Sequence, residues 1–207
     1  MARFIGLPPE TLVFQRQVHG TGITEGREAL PPRRWRSLNQ RDLPESDILI
    51  TDLPRQILVL SVADCCPILL FSPSAGAVAA VHAGRRGTAA GAAGLAVEAL
   101  DRRFGASPAG LHVWIGPCAG GGSYEVGPEV AAEFSQYPDY VKGSRNGSDR
   151  YLLDLPGINR RQLLAAGVTS SRINDEAEDT IRDRRFHSYR RDGADSGRMA
   201  AWIGLRR

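Results

Sequence analysis

Apolar residues run almost unbroken through residues 47 to 82. Asp47-Ile-Leu-Ile-Thr-Asp, Gln56-Ile-Leu-Val-Leu-Ser-Val-Ala, Pro67-Ile-Leu-Leu-Phe and Gly76-Ala-Val-Ala-Ala-Val-His are four short runs, and Ser72-Pro-Ser-Ala-Gly makes a turn between the last two. Runs of this length, bounded by turn residues, predict strands, and their continuous apolarity predicts a sheet covered on both faces. Upstream, Thr11-Leu-Val-Phe-Gln-Arg-Gln-Val alternates like a further strand. From Thr88 to Phe104 the period changes. Ala92, Leu95, Ala96, Ala99 and Leu100 recur at helical spacing, with Thr88 placed to cap the start and Gly105 to end the helix.

Leu111-His-Val-Trp-Ile returns to strand. Pro128 to Phe134 predicts a helix that opens with proline in its first turn. Tyr137 to Arg150 reads as a polar loop, Ile158 to Ala166 as a helix stopped by Gly167, and Arg198-Met-Ala-Ala-Trp-Ile-Gly-Leu as a last strand. No internal repeat is visible. The expectation is one mixed α/β domain over residues 1–207, with central sheets flanked by helices.

Composition narrows the possibilities. Hydrophobic residues make up 42% and charged residues 24% of the 207, too apolar for a disordered chain. The longest apolar candidate for a membrane span, Ile57 to Phe71, contains Ser61 and Asp64, and the apolar part of the opening stretch is too short for a secretory signal. A cytoplasmic protein with no membrane partner is expected. The net charge is +3, and Lys142 is the only lysine among 26 basic residues. Arg182, Arg184 and Arg185 interleave with Asp175, Glu176, Glu178, Asp179 and Asp183, which is the pattern of a solvated face and not of a nucleic-acid surface.

Cys65, Cys66 and Cys118 make no disulfide framework, since three is odd and adjacent cysteines rarely bridge. In a reducing compartment each is a buried hydrophobe, a metal ligand or a nucleophile. His19 ends an alternating strand, and His82 lies where a buried strand runs into Gly84 and Gly87 before a helix. Strand ends that open into glycine-rich turns are where α/β proteins place ligands. One thiolate from Cys65 and two imidazoles from His19 and His82 would form a three-ligand zinc site with an open position, as catalytic zinc requires. Cys65 as a buried small hydrophobe is the competing reading, and spacing alone leaves both open. Asp64 is a candidate carboxylate to orient a bound imidazole.

At this point the motifs carry a resemblance. Gln17-Val-His-Gly, Ala63-Asp-Cys-Cys-Pro-Ile-Leu-Leu, Val81-His-Ala-Gly-Arg-Arg-Gly, Ile115-Gly-Pro-Cys with Tyr124-Glu-Val, Asp154-Leu with Asn159 and Gln162-Leu, and Ser188-Tyr-Arg-Arg-Asp-Gly with Gly197-Arg-Met-Ala resemble the successive motifs of one family. It is the laccase-domain family, labelled both multicopper polyphenol oxidase and purine nucleoside phosphorylase. The resemblance spans roughly residues 11 to 205. It implies a mixed α+β sandwich likened to cysteine hydrolases, and one zinc ion on His19, Cys65 and His82, which would also be the catalytic residues. Cys66 then occupies a variable position as a packing residue. The chain departs from the family pattern in four places: the usual N-terminal segment is expected to be missing, Arg85 stands where the motif has tryptophan, Asp179 where a cysteine is usual, and His187 where a phenylalanine is usual.

The implied activity is zinc-dependent phosphorolysis of purine nucleosides. Adenosine, inosine, guanosine or methylthioadenosine and phosphate would give free base and the sugar 1-phosphate, with a side deamination of adenosine. Arg86, Arg190 and Arg191 are the candidates to meet the anionic substrate. Copper at the same three ligands is the lesser alternative. Oxidase chemistry with four coppers needs many imidazoles, and the chain has four histidines with only Met1 and Met199 as possible axial ligands. The alternative of another class is an amide hydrolase, for instance one editing peptidoglycan precursors, that uses either zinc or Cys65 as nucleophile with His82 as base. Cys118 is expected to be structural, His112 to be an ordinary sheet residue, and no oligomeric state is assigned.

Overall fold

The apolar runs become strands of two packed sheets. The protein is described by a computed structural model over residues 8–27, 41, 43–144, 149–176 and 178–206. Residues 1–7, and residues 145–148 of the loop expected over 137–150, lie outside the described residues. Strands β1 (Leu12–Val13), β2 (Ile23–Glu25), β3 (Ile48–Thr51), β4 (Ile57–Val62), β5 (Cys66–Ser72) and β6 (Ala77–Ala83) come first. Helices α1 (Arg85–Ala89) and α2 (Ala92–Phe104), strands β7 (His112–Ile115) and β8 (Glu125–Val126) and helix α3 (Pro128–Ala132) follow. The chain continues through β9 (Val141–Gly143), β10 (Tyr151–Leu153), α4 (Leu155–Ala165), β11 (Ile173–Asp175), α5 (Tyr189–Asp192) and β12 (Met199–Gly204).

The central sheet has six strands in the order β11-β7-β5-β6-β3-β2, antiparallel through its middle and parallel at both edges. One face packs Ile48, Ile68, Val81 and Ile115 against Ala96, Val97 and Leu100 of α2 and Leu163 of α4. The other packs Leu49, Val78 and Ala80 against Leu58, Leu60 and Ala201 of a three-stranded sheet ordered β1-β4-β12. Burial on both faces explains why these strands read as unbroken apolar runs. A small third sheet, β8-β10-β9, packs with Phe134 and Ile158. The fold is a mixed α/β arrangement, as the sequence predicts. No helix among the described residues is long and apolar enough to cross a membrane.

The helix expected from Thr88 to Phe104 is in fact two. Gly91, at φ 83°, turns the chain left-handed between α1 and α2. Thr88 caps neither helix. Its hydroxyl lies 3.4 Å from the Ala83 carbonyl, to which it donates, and it accepts from Asn159 Nδ2. Gln162 Nε2 donates to the Thr88 carbonyl at 2.7 Å, so the Asn159 and Gln162 of one motif clamp the segment that carries Arg85 and Arg86. Helix α4 starts three residues earlier than its periodicity suggests, because the Asp154 side chain accepts from the Gly157 amide and Pro156 fits the first turn.

Candidate metal centre and cleft

The three candidate ligands meet at one end of the sandwich, where the chain crosses between its sheets. His19 lies on the crossing from β1 to β2, Cys65 at the corner where β4 passes into β5, and His82 near the end of β6. Their ligand atoms all lie within 4.8 Å of one another, and the two imidazoles meet edge to face with centroids 4.9 Å apart. This is close to what one ion about 2.0–2.3 Å from each donor would span. His82 is buried, Cys65 half-buried and His19 exposed, so the cluster opens on one side. The donor set, two imidazoles and one thiol, fits a borderline-soft ion such as zinc.

Asp47, directly before β3, holds this arrangement. Its Oδ1 lies 2.7 Å from His82 Nδ1, and the carboxylate also accepts the backbone N–H groups of Val18, His19 and Gly20 at 3.3, 3.0 and 2.6 Å. With Nδ1 engaged, Nε2 is the ring nitrogen that His82 can offer to a metal. Burial pushes the Asp47 carboxyl up, but the bonds from His82, Gly20 and His19 outweigh it and hold the carboxyl below its ordinary range. The same bonds keep His19 at φ 61°, a left-handed conformation that non-glycine residues rarely adopt. Gln17 adds a second tie, since its amide bonds both the carbonyl and the N–H of Ser61 at 2.9 and 2.8 Å and so pins the His19 segment to β4. Gly84 lies where any side chain would collide: a Cβ there would fall 2.9 Å from Cys65 Sγ and 3.0 Å from His19 Cδ2.

The cluster forms part of the wall of a cleft of about 880 Å³, shared with Tyr124, Arg85, Arg86 and Arg190 among others. Arg86 is exposed at the start of α1, and its guanidinium has no hydrogen-bond or ion-pair partner among the described residues. Arg85, at the position expected to be aromatic, pairs with Glu133 at 2.5 Å. Arg190 stacks over the Tyr124 ring at 4.8 Å and donates to the Glu125 carbonyl at 2.7 Å. Arg191 does not join this wall. Its guanidinium donates to the carbonyls of Thr180 and Phe186 at 2.8 and 2.9 Å and pairs with Asp192 at 2.7 Å, holding the loop over 180–186.

Asp64 does not orient an imidazole, as its position beside Cys65 had suggested. At φ 75° it turns the corner and accepts the Thr180 hydroxyl at 2.7 Å and the Arg190 amide at 2.6 Å, linking the Cys65 corner to the Arg190 helix. Cys66 and Cys118 are both buried in the core, where contact with Cys66, and then burial, push the Cys118 thiol well up. His112 sits exposed on β7 and contacts Arg172 Nη1 at 2.6 Å. Sequence reasoning missed Asp47 and the role of Gln17. The signal for Asp47 was an acid opening a run buried on both faces, and for Gln17 its place two residues before His19.

A family model described as multi-copper polyphenol oxidoreductase laccase matches residues 1–206. Named "Purine nucleoside phosphorylase", a protein of Deinococcus radiodurans is 37% identical over 213 residues, covering 100% of this chain and 75% of that protein. "Purine nucleoside phosphorylase YlmD" of Geobacillus stearothermophilus is likewise 37% identical, over 214 residues, covering 100% of this chain and 76% of that one. The crystal structure of YlmD from the same organism superposes with a TM-score of 0.89 at 36% identity, covering 100% of this chain and 77% of its own. That of the Bacillus licheniformis hypothetical protein YfiH gives 0.89 at 30% identity, covering 99% and 78%.

Proposed function

Because the chain belongs to the multi-copper polyphenol oxidoreductase laccase family, we propose that it is an enzyme that splits purine nucleosides with phosphate and depends on one zinc ion. The observation that carries this reading is the convergence of His19, Cys65 and His82 at an arginine-lined cleft, in a chain whose relatives are named purine nucleoside phosphorylase. The substrates are adenosine, inosine, guanosine or methylthioadenosine together with phosphate, the products are free base and sugar 1-phosphate, and adenosine is deaminated as a side activity. The domain spans residues 1–207 and works in the cytoplasm.

Held by three protein groups, zinc supplies a Lewis-acid centre with an open coordination position. The chain's own residues do the rest. Asp47 fixes the tautomer of His82 and, through the backbone, the placement of His19. Arg86 and Arg190 offer guanidinium N–H groups to phosphate, whose geometry suits bidentate contacts. Arg191 acts one step removed, as a positioning residue for the loop that meets Asp64 through Thr180. Copper at the same three ligands is the source we assign to any oxidase signal, since His112 and His187 lie outside the cluster.

One observation favours a second reading. Asp47, His82 and Cys65 follow one another as carboxylate, imidazole and thiol, the order of a metal-free cysteine hydrolase. His19 argues against it, because a hydrolytic triad has no use for a second imidazole on the thiol. Chromatography of adenosine incubated with and without phosphate separates the two: phosphorolysis gives adenine only with phosphate, whereas an amide hydrolase with Cys65 as nucleophile leaves adenosine intact under both conditions.

A further inference from the structure

The cleft is lined by arginines in more than one place. Arg16, Arg85, Arg86, Arg190 and Arg198 line it, and among the described residues Asp64 is the only carboxylate on its wall. Both Asp64 oxygens are already engaged, by Thr180 and by the Arg190 amide. Arg16 pairs with Glu45 and Arg85 with Glu133, but Arg86, Arg190 and Arg198 have no carboxylate partner among the described residues. A phosphoryl group held by Arg86 and Arg190 leaves the Arg198 guanidinium, elsewhere on the wall, with no anionic partner of its own.

That guanidinium lies at a particular place. In the β1-β4-β12 sheet, Val13 lies level with Leu58 and Met199 with Val62, so Arg16, just past β1, and Arg198, just before β12, flank the end of β4 on its two sides. Gln17 confirms the level by bonding Ser61 directly. Ser61 is four residues from Cys65, at most roughly 13 Å away at about 3.3 Å per residue, since the chain turns at Asp64. Arg198 stacks on the Tyr189 ring at 5.6 Å, and Tyr189 is 56% exposed in the same cleft. Nη1 of Arg198 donates to the carbonyls of Ser196 and Gly197, leaving Nε and Nη2 for a ligand. On the facing side Gln15 Nε2 and Arg16 Nε are buried without a partner among the described residues, two more donors in search of an acceptor.

From these contacts we infer that the cleft has a second anion subsite, built from Gln15, Arg16, Tyr189 and Arg198, which takes a phosphate monoester carried by the nucleoside. Nucleoside monophosphates are then bound in preference to nucleosides. The inference rests on the nucleoside reading above and extends it to a phosphorylated nucleoside, whose split by phosphate would give free base and a sugar bisphosphate.

The test is equilibrium binding of adenosine 5′-monophosphate, of adenosine, and of adenosine with inorganic phosphate, to the full chain, with adenosine phosphorolysis measured in parallel. The monophosphate is expected to bind at least tenfold tighter than adenosine, the scale of one charge-assisted hydrogen-bonded contact. That advantage is expected to shrink with added salt, to fall about tenfold in Arg198→Ala, and to be intermediate in Arg198→Lys, which keeps the charge without the planar fork. Equal binding of monophosphate and adenosine overturns the inference. So does an advantage that survives in a folded Arg198→Ala protein, or one that free phosphate gives to adenosine just as well. If Arg198→Ala fails to fold, Arg198→Lys and the salt dependence decide. A preference for the monophosphate in a protein that does not split adenosine upholds the subsite and fails the phosphorylase reading; phosphorolysis without the preference does the reverse.

Discussion

Nδ1 of His82 and Oδ1 of Asp47 lie 2.7 Å apart, both side chains buried, and the amide of His82 donates to the carbonyl of the same Asp47 at 2.8 Å. This double tie joins β6 to the start of β3 and presents one defined ring nitrogen to the cleft. The same carboxylate receives the His19 amide, so a single acid positions two of the three candidate ligands.

Replacing Asp47 with Asn is therefore expected to weaken metal binding by about 10- to 100-fold, the range seen when an outer-shell partner of a histidine ligand is lost. Competition with a chelating dye for zinc measures it. Asp64→Asn, which touches neither imidazole, is expected to leave zinc affinity within a few fold.

Gly84→Ala tests the packing of the cluster without removing a ligand. Gly84 has φ −74°, which alanine adopts freely, so the cost is steric alone. Its methyl group would meet Cys65 Sγ at 2.9 Å and His19 Cδ2 at 3.0 Å, and the two must separate to admit it. Zinc content per chain is expected to fall to a small fraction of wild type, measured by atomic absorption.

The three thiols are expected to behave as one and two. Cys65 is half-buried in the cleft, whereas Cys66 and Cys118 are buried in the core and the Cys118 thiol is pushed well up. With zinc removed, one thiol per chain should react with a thiol reagent in the native state, and zinc should protect it. The other two should react only on unfolding. Two fast thiols would contradict the placement.

Much of this site could be read from the chain. The strands from Ile48 to Ala83 are legible because most of their positions are buried and apolar, and His82 shows itself as a polar residue inside such a run. The short strands β2, β8, β9, β10 and β11 escape the sequence reading, β9 inside the stretch read as a polar loop, since two or three residues carry no period. Asp47 and Asp64 illustrate the same limit. Both are acids at strand ends, and only the approach of His82 to one and of Thr180 to the other assigns them opposite jobs.

Two arginines expected together in the site separate by their partners. Arg191→Ala removes donors to two backbone carbonyls and is expected to destabilise the fold, lowering Tm by several degrees. Arg86→Ala breaks no contact among the described residues and should leave Tm unchanged while raising the KM for phosphate. Thermal melts and steady-state kinetics on the two variants read both effects.

The most direct test of the account is a titration of zinc into metal-free protein while adenine release from adenosine is followed in the presence of phosphate. Activity is expected to rise from baseline and break at one zinc per chain, to be absent without phosphate, and not to appear in Cys65→Ala or His82→Ala. Adenine release that is complete before any zinc is added, or that persists in Cys65→Ala, would contradict the account.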